Sequence, residues 1–272
     1  MHNMENVDLY MSYWSDSYLN WNPNSERNKY VKDLHKLSLY FANKNYKKVT
    51  LITDDNGKEW LKDLPFYDIK TYLNDIKNIS TPNWALGKLY SYKKISEIGK
   101  PFMHFDYDVF LWNKFEPTFF NSDIFVQQEE SDLETYALPE LYSCQDVNFY
   151  DVPHTFTNKE KAYNVGIIGG QDTKNILKYA NAAIEFTLDT NNQECFRKMS
   201  DVYHSSVACV CEQYYLYYFC LKNNIKVNLL LPEERISRQE KAKNIGYTHL
   251  VDLKTNENIK KQIYSLIKEY NL

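Results

Sequence analysis

The chain has 272 residues, of which 43% are hydrophobic and 25% charged, the balance of a globular protein. Its 32 basic and 36 acidic side chains give a net charge of -4, so the basic field that nucleic-acid binding requires is missing. No apolar run has the length of a membrane span. The first ten residues lack a secretory signal pattern, and the five cysteines lack CxxC spacing, which argues against disulfide scaffolding or a zinc site. We therefore expect a protein of the reducing cytoplasm.

The first part of the chain alternates strand and helix patterns, which predicts a parallel sheet. Apolar runs of β character alternate with segments whose apolar residues recur at helical spacing. Residues 54–57 (DDNG) form a turn signal. The predicted elements are, in chain order, a strand at 7–13, a helix at 26–43, a strand at 48–53, a short helix at 58–64, an extended piece at 66–73, a helix at 83–98 ended by a Gly-Lys-Pro break, and a strand at 102–112.

The second part of the chain contains a polar and aromatic stretch at 129–161, which we expect to be an insertion or lid. No repeat or linker divides the sequence, so we expect residues 1–272 to form a single domain. The fold class is α/β, with a central, mostly parallel, twisted sheet flanked by helices. The remaining predicted elements are a segment at 124–128, a strand at 162–168, helices at 172–190 and 207–223, a strand at 225–231 and a terminal helix at 257–270.

An acidic pair, Asp106 and Asp108, lies within the strand predicted at 102–112. Residues two apart in an extended chain point the same way, so both carboxylates are expected on one side and Tyr107 on the other. Two close carboxylates repel each other unless a cation neutralises them, and oxygen ligands favour Mg²⁺ or Mn²⁺. An Asp-x-Asp pair alone is a weak motif, but the carboxyl end of a strand is where open α/β sheets bind ligands. The pair therefore predicts a metal site suited to the departure of a nucleoside diphosphate.

A single carboxylate, Glu212, interrupts an almost wholly apolar helix pattern at 207–220. A buried carboxylate needs either a partner or a chemical task. Two interpretations stay open from the pattern alone, a structural pair with a lysine or arginine and a functional group such as a catalytic base.

Three segments carry a resemblance to a known family, namely 84–88 (WALGK) on a helix, 102–108 (FMHFDYD) and 163–170 (YNVGIIGG). In this order they resemble the GT-A glycosyltransferases with a DxD motif, including bacterial capsular-polysaccharide and toxin-type enzymes. The likeness extends over 7–254 in the order of elements and is close in the acidic strand and the Asn-x-Gly segment. It implies a hexosyltransferase-like enzyme that uses a nucleotide-sugar, namely a UDP-sugar, as donor and needs Mn²⁺ or Mg²⁺. The implied acceptor is a glycan, a lipid-linked molecule or a protein.

The resemblance also assigns roles to single residues. It implies that Asp106 contacts the ribose or donor sugar beside the ion and that Asp108 ligates the metal. Lys88, on the helix before the motif, is implied to reach the donor, and Asn164 to contact the transferred sugar. Glu212 resembles a carboxylate on the acceptor side, where it would bind an acceptor hydroxyl or act as catalytic base.

A late segment, 247–254 (YTHLVDLK), resembles an HxxGxxK segment of retaining GT-A enzymes. The resemblance implies that His249 is the third metal ligand and that Lys254 binds phosphate. Here Asp252 stands at the glycine position and Lys254 comes one residue sooner, so structural roles stay open for both His249 and Lys254.

The segment after the first strand bears on the donor and on the alternatives. In the resembling family the nucleobase lies there, so Tyr13 and Trp14 are candidates to stack on it, with core packing as the alternative. Residues 13–17 (YWSDS) contain no glycine, which disfavours a nucleotidyltransferase with its Gly-rich phosphate loop. A catalytically silent nucleotide- or sugar-binding module, in which the acidic pair only braces loops, is the other alternative. The terminal helix predicts at most a peripheral membrane association.

Overall fold

The computed structural model describes residues 7–15, 21–46, 48–77, 79, 83–131, 133–157, 159–202, 206–231 and 238–272. Residues 1–6, part of the segment searched for a secretory signal, and residues 16–17 of the loop after the first strand lie outside the described residues. The strands are β1 Asp8–Tyr13, β2 Val49–Thr53, β3 Asp68–Lys70, β4 Phe102–Phe105, β5 Val109–Leu111, β6 Ile124–Glu130, β7 Ala162–Gly170, β8 Val227–Leu231 and β9 Tyr247–His249. The helices are α1 Glu26–Asn45, α2 Asp55–Leu61, α3 Ala85–Glu97, α4 Leu138–Ser143, α5 Thr173–Leu188, α6 Thr190–Val202, α7 Ser206–Cys209, α8 Tyr215–Lys222, α9 Arg238–Ile245 and α10 Glu257–Glu269.

The centre of the fold is a seven-stranded sheet with the order β3-β2-β1-β4-β7-β6-β8. β1 is parallel to β2 and β4, β2 is parallel to β3, and β6 is parallel to β8. Among the described strands of this sheet, β7 alone runs antiparallel to its neighbours, β4 and β6. Parallel strands need crossover connections, and the helices that supply them flank the sheet. The predicted α/β class with a mostly parallel, helix-flanked sheet is confirmed.

The strand predicted at 102–112 is two strands separated by a turn, which corrects the sequence prediction. β4 ends before residues 106–108, and the chain turns there because Val109 N donates to the Asp106 carbonyl over 3.0 Å. β5 then leaves the main sheet and pairs with β9 in a separate two-stranded antiparallel sheet. The side chains of the acidic pair are therefore oriented by the turn, and the alternation of side-chain directions along a strand does not apply to them.

The turn signal at 54–57 marks the start of a helix, which is a second correction. α2 begins at Asp55, and Asp54 caps it by accepting from Gly57 N over 2.7 Å. Aspartate is favoured at this position because its carboxylate satisfies free N–H groups of the first helical turn. The same carboxylate accepts from Ser15 N over 2.7 Å, which ties the end of β1 to the start of α2.

The two faces of the sheet are covered by different helices. α3, α5 and a π-helical turn, Val210–Tyr214, which joins α7 to α8, pack on the face toward which Tyr10 points. α1 packs on the other face, and α10 packs on α1 through the buried Ile263 and a stack of Tyr270 on Tyr40 with ring centroids 4.8 Å apart. None of the described helices is long and apolar enough to cross a membrane.

Cys144, which follows α4, and Cys195 in α6 form a disulfide with their Cα atoms 6.0 Å apart. This corrects the expectation of a protein without disulfides. The two residues are 51 positions apart in the sequence, so local spacing carries no sign of the pairing. Disulfides persist in oxidising compartments, and the prediction of a reducing cytoplasm therefore loses its support from the cysteines. α4 lies within the insertion proposed at 129–161, and its Leu138 and Leu141 are buried in the core around α5.

Candidate metal centre

A turn after β4 places the acidic pair at the carboxyl end of the middle strand of the large sheet. Asp106 N donates to the Gly166 carbonyl of β7 over 2.9 Å, and the Asp108 carbonyl accepts from Leu250 N over 3.1 Å. These bonds tie the turn to β7 on one side and to the end of β9 on the other. The backbone of the pair is therefore held by two segments that are distant in the sequence.

Asp106, Asp108 and His249 form a cluster in which one ligand atom from each residue lies within 4.8 Å of the others. His249 is opposite Val109 in the β5–β9 pair, so the pairing of the small sheet brings the imidazole to the acids. Its Nε2 is 3.5 Å from Asp108 Oδ1. Carboxylate oxygens are the ligands that Mg²⁺ and Mn²⁺ favour, and imidazole is a common metal ligand. The three side chains thus fit a divalent cation.

The ring of His249 is oriented by Gln127 of β6, whose Oε1 lies 2.7 Å from Nδ1. When Nδ1 carries the proton and donates it to this oxygen, Nε2 keeps its lone pair on the side of Asp108. Gln127 is buried, so the contact is shielded from water. Sequence reasoning missed Gln127, although the run of polar residues at 127–130 in an otherwise apolar strand is a signal for it.

Gly166 makes room for the imidazole. A Cβ at this position would lie 2.2 Å from Cε1 and 2.4 Å from Nδ1 of His249, so any larger residue would displace the ring. The group that approaches Gly166 in the structure is the side chain of His249.

Asp108 is buried and carries the strongest interactions of the pair. Lys254, in a 3-10 turn after β9, donates from Nζ to Asp108 Oδ2 over 2.7 Å. Burial alone would raise the pKa of Asp108, but the charge of Lys254, together with the interaction of His249 with the same carboxylate, outweighs burial and holds the pKa below its usual value. Asp108 is therefore ionised throughout the neutral range and available as an oxygen ligand.

Asp106 shares a lysine with a second carboxylate. Lys88 of α3 places its Nζ 2.9 Å from Asp106 Oδ1 and 2.9 Å from Glu212 Oε1. Burial alone would lower the pKa of Lys88, but the negative charges of Asp106 and Glu212 outweigh it and raise the pKa. The ammonium is therefore charged and bridges α3, the acidic turn and the π-helical turn.

Glu212 lies behind Lys88 and has no exposed surface. Tyr92 OH donates to Glu212 Oε1 over 2.7 Å. Burial and the nearby charge of Asp106 raise the pKa of Glu212 against the opposing effect of Lys88. Of the two interpretations that the sequence left open, the structure contains the lysine partner, and the role of catalytic base stays a prediction.

The positive charge beside the acidic pair comes from a source that the sequence did not indicate. Asp106 pairs with Lys88 and Asp108 pairs with Lys254, so lysines supply positive charge that the repulsion argument assigned to a metal ion. The metal assignment therefore depends on the cluster of three ligand atoms with His249, and repulsion within the pair does not carry it.

Asn164 of β7 has both ends of its amide engaged within the protein. Its Oδ1 accepts from Gly166 N over 3.0 Å, and its Nδ2 donates to Glu130 Oε1 over 2.8 Å. Glu130 also accepts from Tyr136 OH over 2.9 Å. Sequence reasoning missed Glu130 and Tyr136, and the contact between Asn164 and a sugar stays a prediction.

Tyr13 and Trp14 lie at the carboxyl end of β1, and both are buried. The Tyr13 hydroxyl accepts from Trp21 Nε1 over 2.9 Å, and its ring lies 4.9 Å from that of Trp60. Trp14 packs over α3, where a Cβ on Gly87 would lie 2.7 Å from the Trp14 Cβ. Stacking of either ring on a nucleobase stays a prediction.

Comparisons with known proteins show the family of the chain and likenesses to solved structures. No curated protein matches the chain by sequence. The structure of mouse xyloside xylosyltransferase 1 in its apo form is similar, with a TM-score of 0.41 and 8% identity over 82% of this chain and 84% of that one. A family model matches residues 9–271. The chain belongs to that family, a family of unknown function (DUF6734).

Proposed function

We propose that this chain is a divalent-metal-dependent glycosyltransferase of the GT-A type that transfers a sugar from a UDP-sugar to a glycan, lipid-linked or protein acceptor. The observation that carries the proposal is the cluster of Asp106, Asp108 and His249 at the carboxyl end of β4. Open α/β sheets bind their ligands at this edge, and nucleotide-sugar chemistry needs a cation there. The proposal treats residues 1–272 as one catalytic domain, with 129–161 as an insertion beside the site.

The proposed metal ligands are Asp106, Asp108 and His249, with Asp106 also toward the ribose or donor sugar. When bound, Mn²⁺ or Mg²⁺ stabilises the negative charge that develops on the departing diphosphate. The backbone of Asp108 is held by Leu250 and the ring of His249 by Gln127, so both side chains need little rearrangement to take up a cation.

The remaining proposed donor contacts come from five side chains. Lys254 is 36% exposed at its side chain and is proposed to turn its ammonium toward a phosphate once Asp108 is engaged elsewhere. Lys88 and Asn164 are proposed to lie beside the transferred sugar. Tyr13 and Trp14 are proposed to form the wall against which the nucleobase rests.

The test is a panel of nucleotide-sugars with Mn²⁺, measured first by melting temperature and then by hydrolysis of the donor. A ligand that binds only the folded state raises the melting temperature, and we expect the UDP-sugars to do so only when Mn²⁺ is present. Asp108→Asn should abolish both the shift and the turnover. Asp63→Asn is the matched control, because it removes an Asp–Lys pair with Lys32 at an exposed position on another part of the surface.

The outcomes separate the alternatives. Stabilisation by a nucleotide-sugar without any turnover would support the silent binding module. Turnover that persists unchanged in Asp108→Asn, or the absence of any stabilisation across the panel, would contradict the proposal.

A further inference from the structure

The environment of Glu212 separates it from any substrate. Its side chain has no exposed surface, its Oε1 accepts from Tyr92 OH over 2.7 Å, and its backbone carbonyl accepts from Tyr179 OH over 2.8 Å. A carboxylate in this position cannot reach an acceptor hydroxyl without unpacking α3 and α5, which supply the two tyrosines. The charged group that Glu212 does touch is the ammonium of Lys88.

The local backbone around Glu212 is unusual. Residues Val210–Tyr214 form a π-helical turn between α7 and α8, and Glu212 is the middle residue of that turn. Single π turns within helices are rare and occur frequently at functional sites, because the wider turn changes the direction of its side chains. Here the turn directs the single carboxylate of this helical segment at Lys88.

Lys88 connects Glu212 to the metal cluster. Its Nζ lies 2.9 Å from Asp106 and 2.9 Å from Glu212, and the ring centroid of Trp84 is 5.9 Å away. We infer that Glu212 is a positioning residue, which holds Lys88 between two carboxylates and thereby sets how much positive charge acts on Asp106. This inference rests on the proposed metal site. It replaces the role of acceptor-side base that the sequence resemblance implies for Glu212.

The consequence concerns the affinity of the cluster for a cation. With Glu212 ionised, the charge of Lys88 is divided between two partners, and Asp106 keeps much of its attraction for a cation. With Glu212 neutral, the whole charge of Lys88 acts on Asp106, which becomes a weaker ligand. Residues in direct contact with a metal ligand, as Lys88 is with Asp106, change metal affinity by about 10- to 100-fold. An effect of Glu212 that acts through Lys88 is expected at the lower end of this range.

The experiment is calorimetric titration of Mn²⁺, without nucleotide, into four proteins: wild type, Glu212→Gln, Lys88→Gln and the double variant. We expect Glu212→Gln to weaken Mn²⁺ binding about tenfold in the wild-type background, and less than about threefold when Lys88 is already replaced. An equal loss in both backgrounds would overturn the inference, because Glu212 would then act without Lys88. A change of melting temperature with unchanged Mn²⁺ affinity would also overturn it, because Glu212 would then be merely structural.

Two controls keep the result interpretable. If Glu212→Gln does not fold, Glu212→Asp keeps the charge farther from Lys88 and should give an intermediate loss of affinity, whereas wild-type affinity would contradict the inference. If the wild-type protein binds no Mn²⁺, the proposed function fails. The contact of Lys88 with both Asp106 and Glu212, here called the bridge, is then tested from melting temperatures alone. Asp106→Asn and Glu212→Gln should be non-additive with Lys88 present and additive in Lys88→Gln, and additivity in both backgrounds would refute the bridge.

Discussion

The two carboxylates of the acidic pair are two residues apart, yet they lie in different surroundings. The Asp108 side chain is 2% exposed and is held by Lys254 and His249. The Asp106 side chain is 21% exposed and shares Lys88 with the fully buried Glu212. One turn thus presents Asp108, which is close to Lys254 and His249, and Asp106, which shares Lys88 with Glu212.

This difference shows that the roles of two neighbouring acids depend on the charged side chains that contact each of them. Asp108 has its charge stabilised by local partners, which suits a permanent ligand. Asp106 depends on a lysine that serves a second acid, so its charge is adjustable from a distance. We therefore expect substitutions around Asp106 and around Asp108 to affect stability and Mn²⁺ affinity differently, and the pH dependence on the two sides to have opposite signs.

The largest effect is expected on the Asp106 side, from Lys88→Met. Removing the ammonium leaves Glu212 buried without its cation, and breaking a buried pair from one side costs about 3 kcal/mol of unfolding free energy. Urea denaturation measures the loss. The double variant Lys88→Met/Glu212→Leu should recover part of it, since no buried charge is then left. A loss well under about 1 kcal/mol in the single variant would mean that the pair is not buried as described.

The next effect is expected on the Asp108 side, from Gly166→Ala. The added methyl would overlap the His249 ring, and overpacking of this kind costs about 1–3 kcal/mol. Mn²⁺ affinity, measured without nucleotide, should fall as well because the ring is displaced. Gly57→Ala is the control, since its methyl would meet Thr53 Oγ1 at 2.0 Å and should lower stability without changing Mn²⁺ affinity. Equal Mn²⁺ affinities for Gly166→Ala and wild type would argue against His249 as a ligand.

The two sides should also respond to pH with opposite signs in metal-free protein. The folded pKa of Asp108 is lowered, so its stabilising contribution is present above its unfolded pKa of about 4 and is lost as the pH falls through the folded value. The folded pKa of Glu212 is raised, so its contribution is fully present below its unfolded pKa of about 4 and is lost as the pH rises through the folded value.

Unfolding free energies of wild type, Asp108→Asn and Glu212→Gln between about pH 3 and pH 7 measure this contrast, at about 1.4 kcal/mol for each unit of pKa displacement. As the pH falls, the unfolding free energy of wild type should decrease relative to that of Asp108→Asn. Over the same range it should increase relative to that of Glu212→Gln. Two differences of the same sign would show that the surroundings of the two acids are alike.

The smallest effect is expected from Lys254→Met, because the lysine is partly exposed and its ion pair is screened. Removing a cation from Asp108 should strengthen Mn²⁺ binding, by roughly threefold to tenfold for about 1 kcal/mol. Calorimetry without nucleotide measures the change. Weaker Mn²⁺ binding in this variant would mean that Lys254 holds Asp108 in its ligating position and does not compete with the cation.

The order of elements could be predicted from the sequence, but the shape of the site could not. Hydrophobic periodicity located α1, α3 and α10, and short apolar runs located β1 and β2, whose residues are mostly buried. It also produced one strand at 102–112, since the apolar residues on both sides of the turn continue the pattern. The pairing of β5 with β9, which ends the strand, joins segments more than a hundred residues apart.

Contacts across long separations also explain what was missed around the acids. The sequence singled out Asp106, Asp108 and Glu212, because acids in apolar surroundings stand out. It singled out His249 through the resemblance of residues 247–254 to a family segment. It did not connect Glu212 to Lys88 over 124 positions, nor Gln127 to His249 over 122. The Cys144–Cys195 disulfide was missed for the same reason.

The most direct test of the central claim is pulsed electron paramagnetic resonance of the Mn²⁺ complex, which detects nitrogen bound to the ion. We predict a coupling from one imidazole nitrogen in the wild-type protein, its loss in His249→Gln, and its retention in His154→Gln at an exposed position. Mn²⁺ bound through oxygen alone, or a nitrogen coupling that persists in His249→Gln, would contradict the claim that Asp106, Asp108 and His249 hold the cation together.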